Sequence, residues 1–169
     1  MKSHRLIPLL LVLTTSALSA ALAPSANSAI VQAVLDANAR LTEAADRLDT
    51  DAFFAGIIDN DECRIIQDGK LFKDRAEAMA TVRQGSRGIA RLDRRFEATH
   101  VTVLAADVAL LTADGTTAVT LQDGRAFSNR FAVSSVFVLR DGQWLLLHGH
   151  YSLPNPQPVT TPLEAKVGS

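Results

Sequence analysis

Residues 91–152 hold four long segments in succession, 91–104, 108–121, 127–139 and 144–152, each rich in Val, Thr, Leu or Phe. Asp123-Gly124 and Asp141-Gly142 separate the last three, and Asp-Gly is a strong hairpin signal because both residues tolerate a positive φ. The segments therefore predict four long antiparallel strands. A sheet of this length has an apolar face that must be covered, and the residues upstream supply the cover.

Val31, Val34, Leu35, Leu41, Ala45 and Leu48 recur at helical spacing, which predicts an amphipathic helix over 30–48. Asp49 or Thr50 can cap a second, shorter helix that carries Phe53, Phe54, Ile57 and Ile58. Residues 63–67 read as a short strand closed by the turn Asp68-Gly69. Asp74 and Glu77 form a capping-box pattern, opening a third helix through Ala76, Met79, Ala80 and Val82 that Gly85 and Gly88 stop. Three helices, an early short strand and four long strands make an α+β layout.

Lys2 and Arg5 precede an apolar run over 6–13, broken only by Pro8, and small residues follow to Ala29. This is the pattern of a secretory signal peptide over 1–29, with small-residue cleavage sites ending at Ala21, Ala23 and Ala29, so the protein is expected to be exported, periplasmic or secreted. The apolar run is shorter than the ~20 residues that span a bilayer, and no later run is long enough, so no membrane span is expected in the mature protein. Residues 30–153 are the size of one domain. From 154 to 169 the chain is Pro-rich, with Pro154, Pro156, Pro158 and Pro162, and reads as an extended or disordered tail. The only cysteine, Cys63, has no intramolecular disulfide partner and reads as a small buried apolar residue.

Seventeen Lys and Arg stand against eighteen Asp and Glu, a formal net charge of −1. Only Arg91, Arg94 and Arg95 lie close together, and they read as a solvent-facing stretch. Without a concentrated basic footprint, nucleic-acid binding is excluded as a class. The last strand is apolar on both faces, Leu145 and Leu147 pointing one way and Trp144 and Leu146 the other. Two buried faces predict helices on one side and a second copy of the chain on the other, a homodimer through the sheet.

Treating both Asp-Gly pairs as two-residue turns sets the register. His148 then faces Ser135, His150 faces Val133, Asp114 lies beside Val133 and Thr112 beside Ser135. One face gathers Asp114, Thr112, Ser135, His148, His150 and Ser152. The other carries Arg130, Ala132, Ser134, Val136, Leu145, Leu147, Gly149 and Tyr151. A one-residue bulge would exchange the two sets. On the polar face, Asp114 could orient His150 as an acid–base pair, His150 titrating near neutral pH. Equally, His148 and His150 could be satisfied hydrogen-bonding groups under a subunit interface. His148, His150 and Asp114 are too sparse a set for zinc, and neither metal nor cofactor is expected.

The ending Asp141-Gly142-Gln143-Trp144-Leu145-Leu146-Leu147-His148-Gly149-His150-Tyr151-Ser152, with the element order over 30–153, resembles the SnoaL-like and nuclear-transport-factor-2-like superfamily. The resemblance implies three N-terminal helices packed on a strongly curved, mainly antiparallel sheet, a cone with an internal apolar pocket. It implies that Tyr151 and Leu147 line that pocket, with Arg130, Ser134 and Val136 sharing it. A cation at Arg130 would need an anionic partner there or a head in water. The acid and tyrosine of the ketosteroid isomerase branch match Ile65 and Leu41 here, so that mechanism is disfavoured.

Three functions follow. The first is binding of a small apolar or aromatic molecule in the pocket. The second is an isomerase, cyclase or dehydratase using His150, Asp114, Tyr151 or Arg130. The third is an envelope protein–protein interaction module.

Overall fold

The protein is described by a computed structural model over residues 25–154. Most of the expected signal peptide and the tail from residue 155 lie outside the described residues. Within them the order is α1 (Ala26–Asp46), α2 (Thr50–Ala55), β1 (Arg64–Gln67), β2 (Lys70–Leu71), α3 (Arg75–Ser86), β3 (Ile89–Ala105), β4 (Val108–Leu121), β5 (Ala126–Arg140) and β6 (Gln143–Ser152). The six strands form one curved, unclosed sheet in the order β2-β1-β6-β5-β4-β3. β1 runs parallel to β6, and every other pair is antiparallel. The expected α+β cone is the fold.

α1 buries Val34, Ala37, Leu41 and Ala44, one stripe at helical spacing, against the sheet. It ends two residues sooner than expected. The Leu48 N–H donates to the Ala45 carbonyl and the Asp49 N–H to the Ala44 carbonyl, a Schellman closure with Leu48 at φ 57° where glycine is usual. Asp49 then caps α2 by accepting from the Ala52 N–H at 3.0 Å. Asp74 caps α3 by accepting from Glu77 N–H at 2.8 Å, while the Glu77 carboxylate turns back to the Lys73 N–H at 2.7 Å. Gly85 does not stop that helix; it lies inside its last turn. Asp68-Gly69 both closes β1 and opens β2, which pairs with β1 as a short hairpin. Phe54, Phe137, Leu111, Val34 and Val138 are the largest fully buried side chains, and all belong to one core cluster with the buried residues of α1 and α2.

The sheet curves because its strands carry extra residues. β3 has register shifts between Ile89 and Arg91, Phe96 and Ala98, and Val103 and Ala105. β6 has one where Leu146 pairs with Phe137 and His148 with Val136, leaving Leu147 without a partner. Such bulges bend a strand and increase its local twist.

Both registers depart from the two-residue-turn expectation. Asp141-Gly142 is a two-residue turn, Arg140 pairing with Gln143, but beyond the Leu147 bulge the partners move by one. His150 faces Ser134, Gly149 faces Ser135 and Tyr151 faces Val133. At the other hairpin the Leu121 N–H donates to the Arg125 carbonyl at 2.8 Å across a three-residue loop with Gly124 at φ 86°. Asp114 consequently pairs with Ala132 and Thr112 with Ser134. The two predicted faces are mixed: Asp114, Thr112, Arg130, Ser134, Val136, His148, His150 and Ser152 share the convex side. Ser135, Gly149 and Tyr151 share the concave side.

Candidate functional site: the cavity under the helices

A cavity of about 420 Å³ lies between the three helices and the concave face of the sheet. That is within the ~300–1,000 Å³ typical of small-molecule sites. Helix residues Leu41, Ala45, Phe53 and Phe54 form one wall, and Ile57, Ile65 and Phe72 close one side. The sheet contributes an aromatic wall. Phe131 stacks on Tyr151 with ring centres 5.3 Å apart and meets Phe96 edge-on at 5.2 Å. Gly115 makes this wall possible, since it pairs with both Phe96 and Phe131. A Cβ there would stand 2.1 Å from the Arg95 carbonyl oxygen and 2.8 Å from Phe131 Cζ.

One corner of the cavity is polar. Arg94 pairs across the ladder with Thr117 and shares the concave face with Leu92 and Phe96. The Thr117 and Tyr151 hydroxyls are hydrogen-bonded at 3.1 Å. The Arg94 guanidinium lies 6.0 Å from the centre of the Tyr151 ring. Its Nε is buried without a hydrogen-bond partner among the described residues. Burial pushes the guanidinium below its ordinary range, opposed by the oxygen of Tyr151 and the carboxylate of Asp46.

Asp46, the last residue of α1, is the acid beside Arg94, yet the two make no ion pair within 4 Å among the described residues. Asp46 Oδ1 is itself buried and unpartnered. Burial pushes its carboxyl up, against the lowering effect of Arg94 and with a smaller raising effect from Asp93. A carboxyl whose folded value is raised gives stability that is fully present below the ordinary carboxylate pKa and lost as pH rises through the raised value. Asp46→Asn should therefore raise the melting temperature at neutral pH. The gap from the parent should close toward about pH 3, where both side chains are neutral. Thermal melts across that range test this; a gap that widened on acidification would refute it.

The SnoaL-like domain family matches residues 34–156. This chain belongs to that family. No curated protein matches this chain in sequence. Among solved structures it is similar to a nuclear transport factor 2-like superfamily protein from Salmonella enterica serovar Typhimurium, with TM-score 0.70 and 16% identity over 80% of this chain and 98% of that one. It is similar to a protein proposed to be a dehydratase of the same superfamily from Streptomyces avermitilis, with TM-score 0.68 and 18% identity over 75% and 98%. It is also similar to a type 2 hexachlorocyclohexane dehydrochlorinase, with TM-score 0.66 and 12% identity over 76% and 87%. At these identities the likeness concerns the fold.

Within the SnoaL-like domain, the residues singled out from the sequence fall in three places. Tyr151 lines the cavity, and His150 borders it from a strand position whose side belongs to the convex face. Arg130, Ser134 and Val136 lie on the convex face, away from the cavity, and Leu147 is the unpaired bulge residue. Asp114 does not reach His150. Its Oδ2 accepts from Arg130 Nη2 at 2.9 Å, and Arg130 Nη1 also donates to Glu97 at 3.1 Å. The anionic partners that Arg130 needed are these two carboxylates, Glu97 the stronger in holding the guanidinium up. Leu41 and Ile65, matched to the isomerase tyrosine and acid, both border the cavity. Cys63 is buried and its thiol pushed up by desolvation, which leaves it protonated and unreactive.

Two residues of the polar corner escaped the sequence reading, Arg94 and Thr117, and so did Asp46 beside Arg94. Arg94 does not belong with a solvent-facing stretch. Arg91 and Arg95 do, each within ion-pair distance of Asp93 at 3.5 and 3.4 Å. The signal was available in the alternation Leu92, Arg94, Phe96, which puts a cation on the same face as two apolar neighbours.

Proposed function

We propose that this protein is an exported SnoaL-like binding domain that holds one small, mainly apolar or aromatic molecule in the cavity under its helices. The observation that carries this reading is the cavity itself, walled by Phe96, Phe131, Tyr151 and apolar helix side chains, with Arg94 and Thr117 meeting at one corner. Aromatic surface supplies affinity, and a few placed polar groups fix orientation. Export rests on the residue pattern of 1–29. Ser25 caps α1 by accepting from the Ser28 N–H at 3.2 Å, so a cut after Ala21 or Ala23 would leave the helix and its cap whole.

A second reading is catalysis in the same cavity, favoured by the polar corner where Arg94 and the hydrogen-bonded hydroxyls of Thr117 and Tyr151 meet, with the raised carboxyl of Asp46 near Arg94 but outside the lining. Shifted carboxyls of this kind serve as proton donors or acceptors. The dehydratase and dehydrochlorinase names of two structural neighbours agree with an elimination or isomerisation. A homodimer would use the convex face of β5 and β6, where Leu145 and Leu147 remain partly exposed. No helix among the described residues is long and apolar enough to cross a membrane.

Native mass spectrometry of the protein from its own host tests these points together. The expected species is a dimer of chains shortened at the N-terminus, carrying a small molecule lost on unfolding. A full-length chain would count against export, a monomer against the dimer. A protein that is empty and takes up nothing from an extract of its host would count against binding.

A further inference from the structure

We propose that the molecule held in the cavity bears a single carboxylate, and that Arg94 is the group that receives it, with the hydroxyls of Thr117 and Tyr151 alongside. The inference rests on the cavity being a ligand site and goes on to name the ligand's class, a small aromatic or alicyclic carboxylic acid.

Arg94 is anomalous among the arginines of its strand. Arg91 and Arg95 reach Asp93 at the surface, whereas Arg94 makes neither a hydrogen bond nor an ion pair among the described residues. Arg94 is only partly exposed, and its Nε is buried with no protein partner among the described residues; leaving that donor unpaired is costly, and an apolar side chain of similar length would pack there at lower cost. Asp46 does not pair with the guanidinium: the two side chains make no ion pair within 4 Å among the described residues, and Asp46 Oδ1 is unpartnered as well. The Asp46 carboxylate senses the guanidinium's charge without pairing with it, and its nearer link to Arg94 is to the backbone N–H. The corner is thus left with unused donors.

Those donors suit a carboxylate. A guanidinium offers planar paired N–H groups that match the two oxygens of a carboxylate. In the Thr117–Tyr151 bond one hydroxyl donates to the other, and the acceptor's own O–H stays free to donate elsewhere. Arg94 is the one Lys or Arg among the residues that line the cavity, and the carboxyls nearby, Asp49 in the lining and Asp46 beside Arg94, add no positive charge, so a singly charged group suits the corner better than a doubly charged phosphate. The rest of the ligand would lie along Phe96, Phe131 and Tyr151, which calls for a ring-bearing body.

Calorimetric titration of the folded protein with 2-naphthoate and with its neutral isostere 2-naphthamide tests this. Charge-assisted hydrogen bonds predict that the parent binds the acid about 30-fold more tightly than the amide. In Arg94→Met that preference should vanish while the amide still binds. Arg94→Lys, which keeps the charge and loses the paired geometry, should retain part of it. Equal affinity of the parent for both probes, or a preference that survives in Arg94→Met, would overturn the assignment and leave the cavity reading standing. If neither probe bound, the cavity reading would fall and the carboxylate assignment with it.

Discussion

Gly115→Ala is expected to destabilise the protein by about 3 kcal/mol, the upper end of what overpacking costs a core. The added Cβ would lie 2.1 Å from the Arg95 carbonyl oxygen, a backbone atom fixed in the β3–β4 ladder, and 2.8 Å from the tip of the Phe131 ring. A flexible ring end can give way, but a laddered carbonyl moves only with its strand. Shrinking the ring in Gly115→Ala/Phe131→Leu should therefore restore little of the loss. For a domain of this size the single change corresponds to a melting temperature lower by roughly 10 °C. Chemical denaturation of the parent and the two variants decides the matter: a single variant as stable as the parent would mean that β3 can shift freely at Arg95. Gly56 offers the contrast, because its nearest obstacle is the side chain of Leu41 at 2.6 Å rather than backbone.

The second large effect is at Phe131. Its ring is 3% exposed, stacks on Tyr151 and meets Phe96 edge-on. Phe131→Ala removes a buried aromatic and leaves a hole, which costs about 4 kcal/mol. The consequence for the site exceeds the volume lost. Without Phe131 the Tyr151 ring has no stacking partner, and the hydroxyl that meets Thr117 loses its support. Phe131→Ala should thus lose both stability and ligand uptake in the same native-mass experiment. Tyr151→Phe, which keeps the stack and removes one hydrogen bond, should cost about 1 kcal/mol. Comparable losses in the two variants would mean that the hydroxyl pair, and not the stack, holds this wall.

Much of the fold could be read from local signals because each element carries its own. The stripe on α1, the caps Asp49 and Asp74, and the Asp-Gly turns are chemistry of neighbouring residues, and each produced its element within a few positions. The site was harder, since it depends on registers set far from the turns. The Leu147 bulge and the three-residue loop at Gly124 each shift the pairing by one, and one residue is enough to exchange the two faces of a strand. Arg130 and Asp114 were thereby misread as candidates on opposite faces; they are partners on the convex side. Tyr151 came from family resemblance, which carries the bulge implicitly. Arg94 was missed because three arginines in five residues look like solvent chemistry, although only two of them are.

The unpaired residue in β6 has a further consequence, for how such a cavity can change over generations. Leu147 is slack in an otherwise fully paired strand. Its loss would leave every later side chain on its present face. Loss of Gly149 instead could be taken up by the same slack: Leu147 would then pair with Val136, His148 would come to face Ser135, and residues 150–152 would keep their places. A single deleted codon could in this way set a histidine beside Tyr151 in the cavity while leaving the frame intact. A strand with one spare residue gives a binding cavity a short mutational route to an ionisable lining.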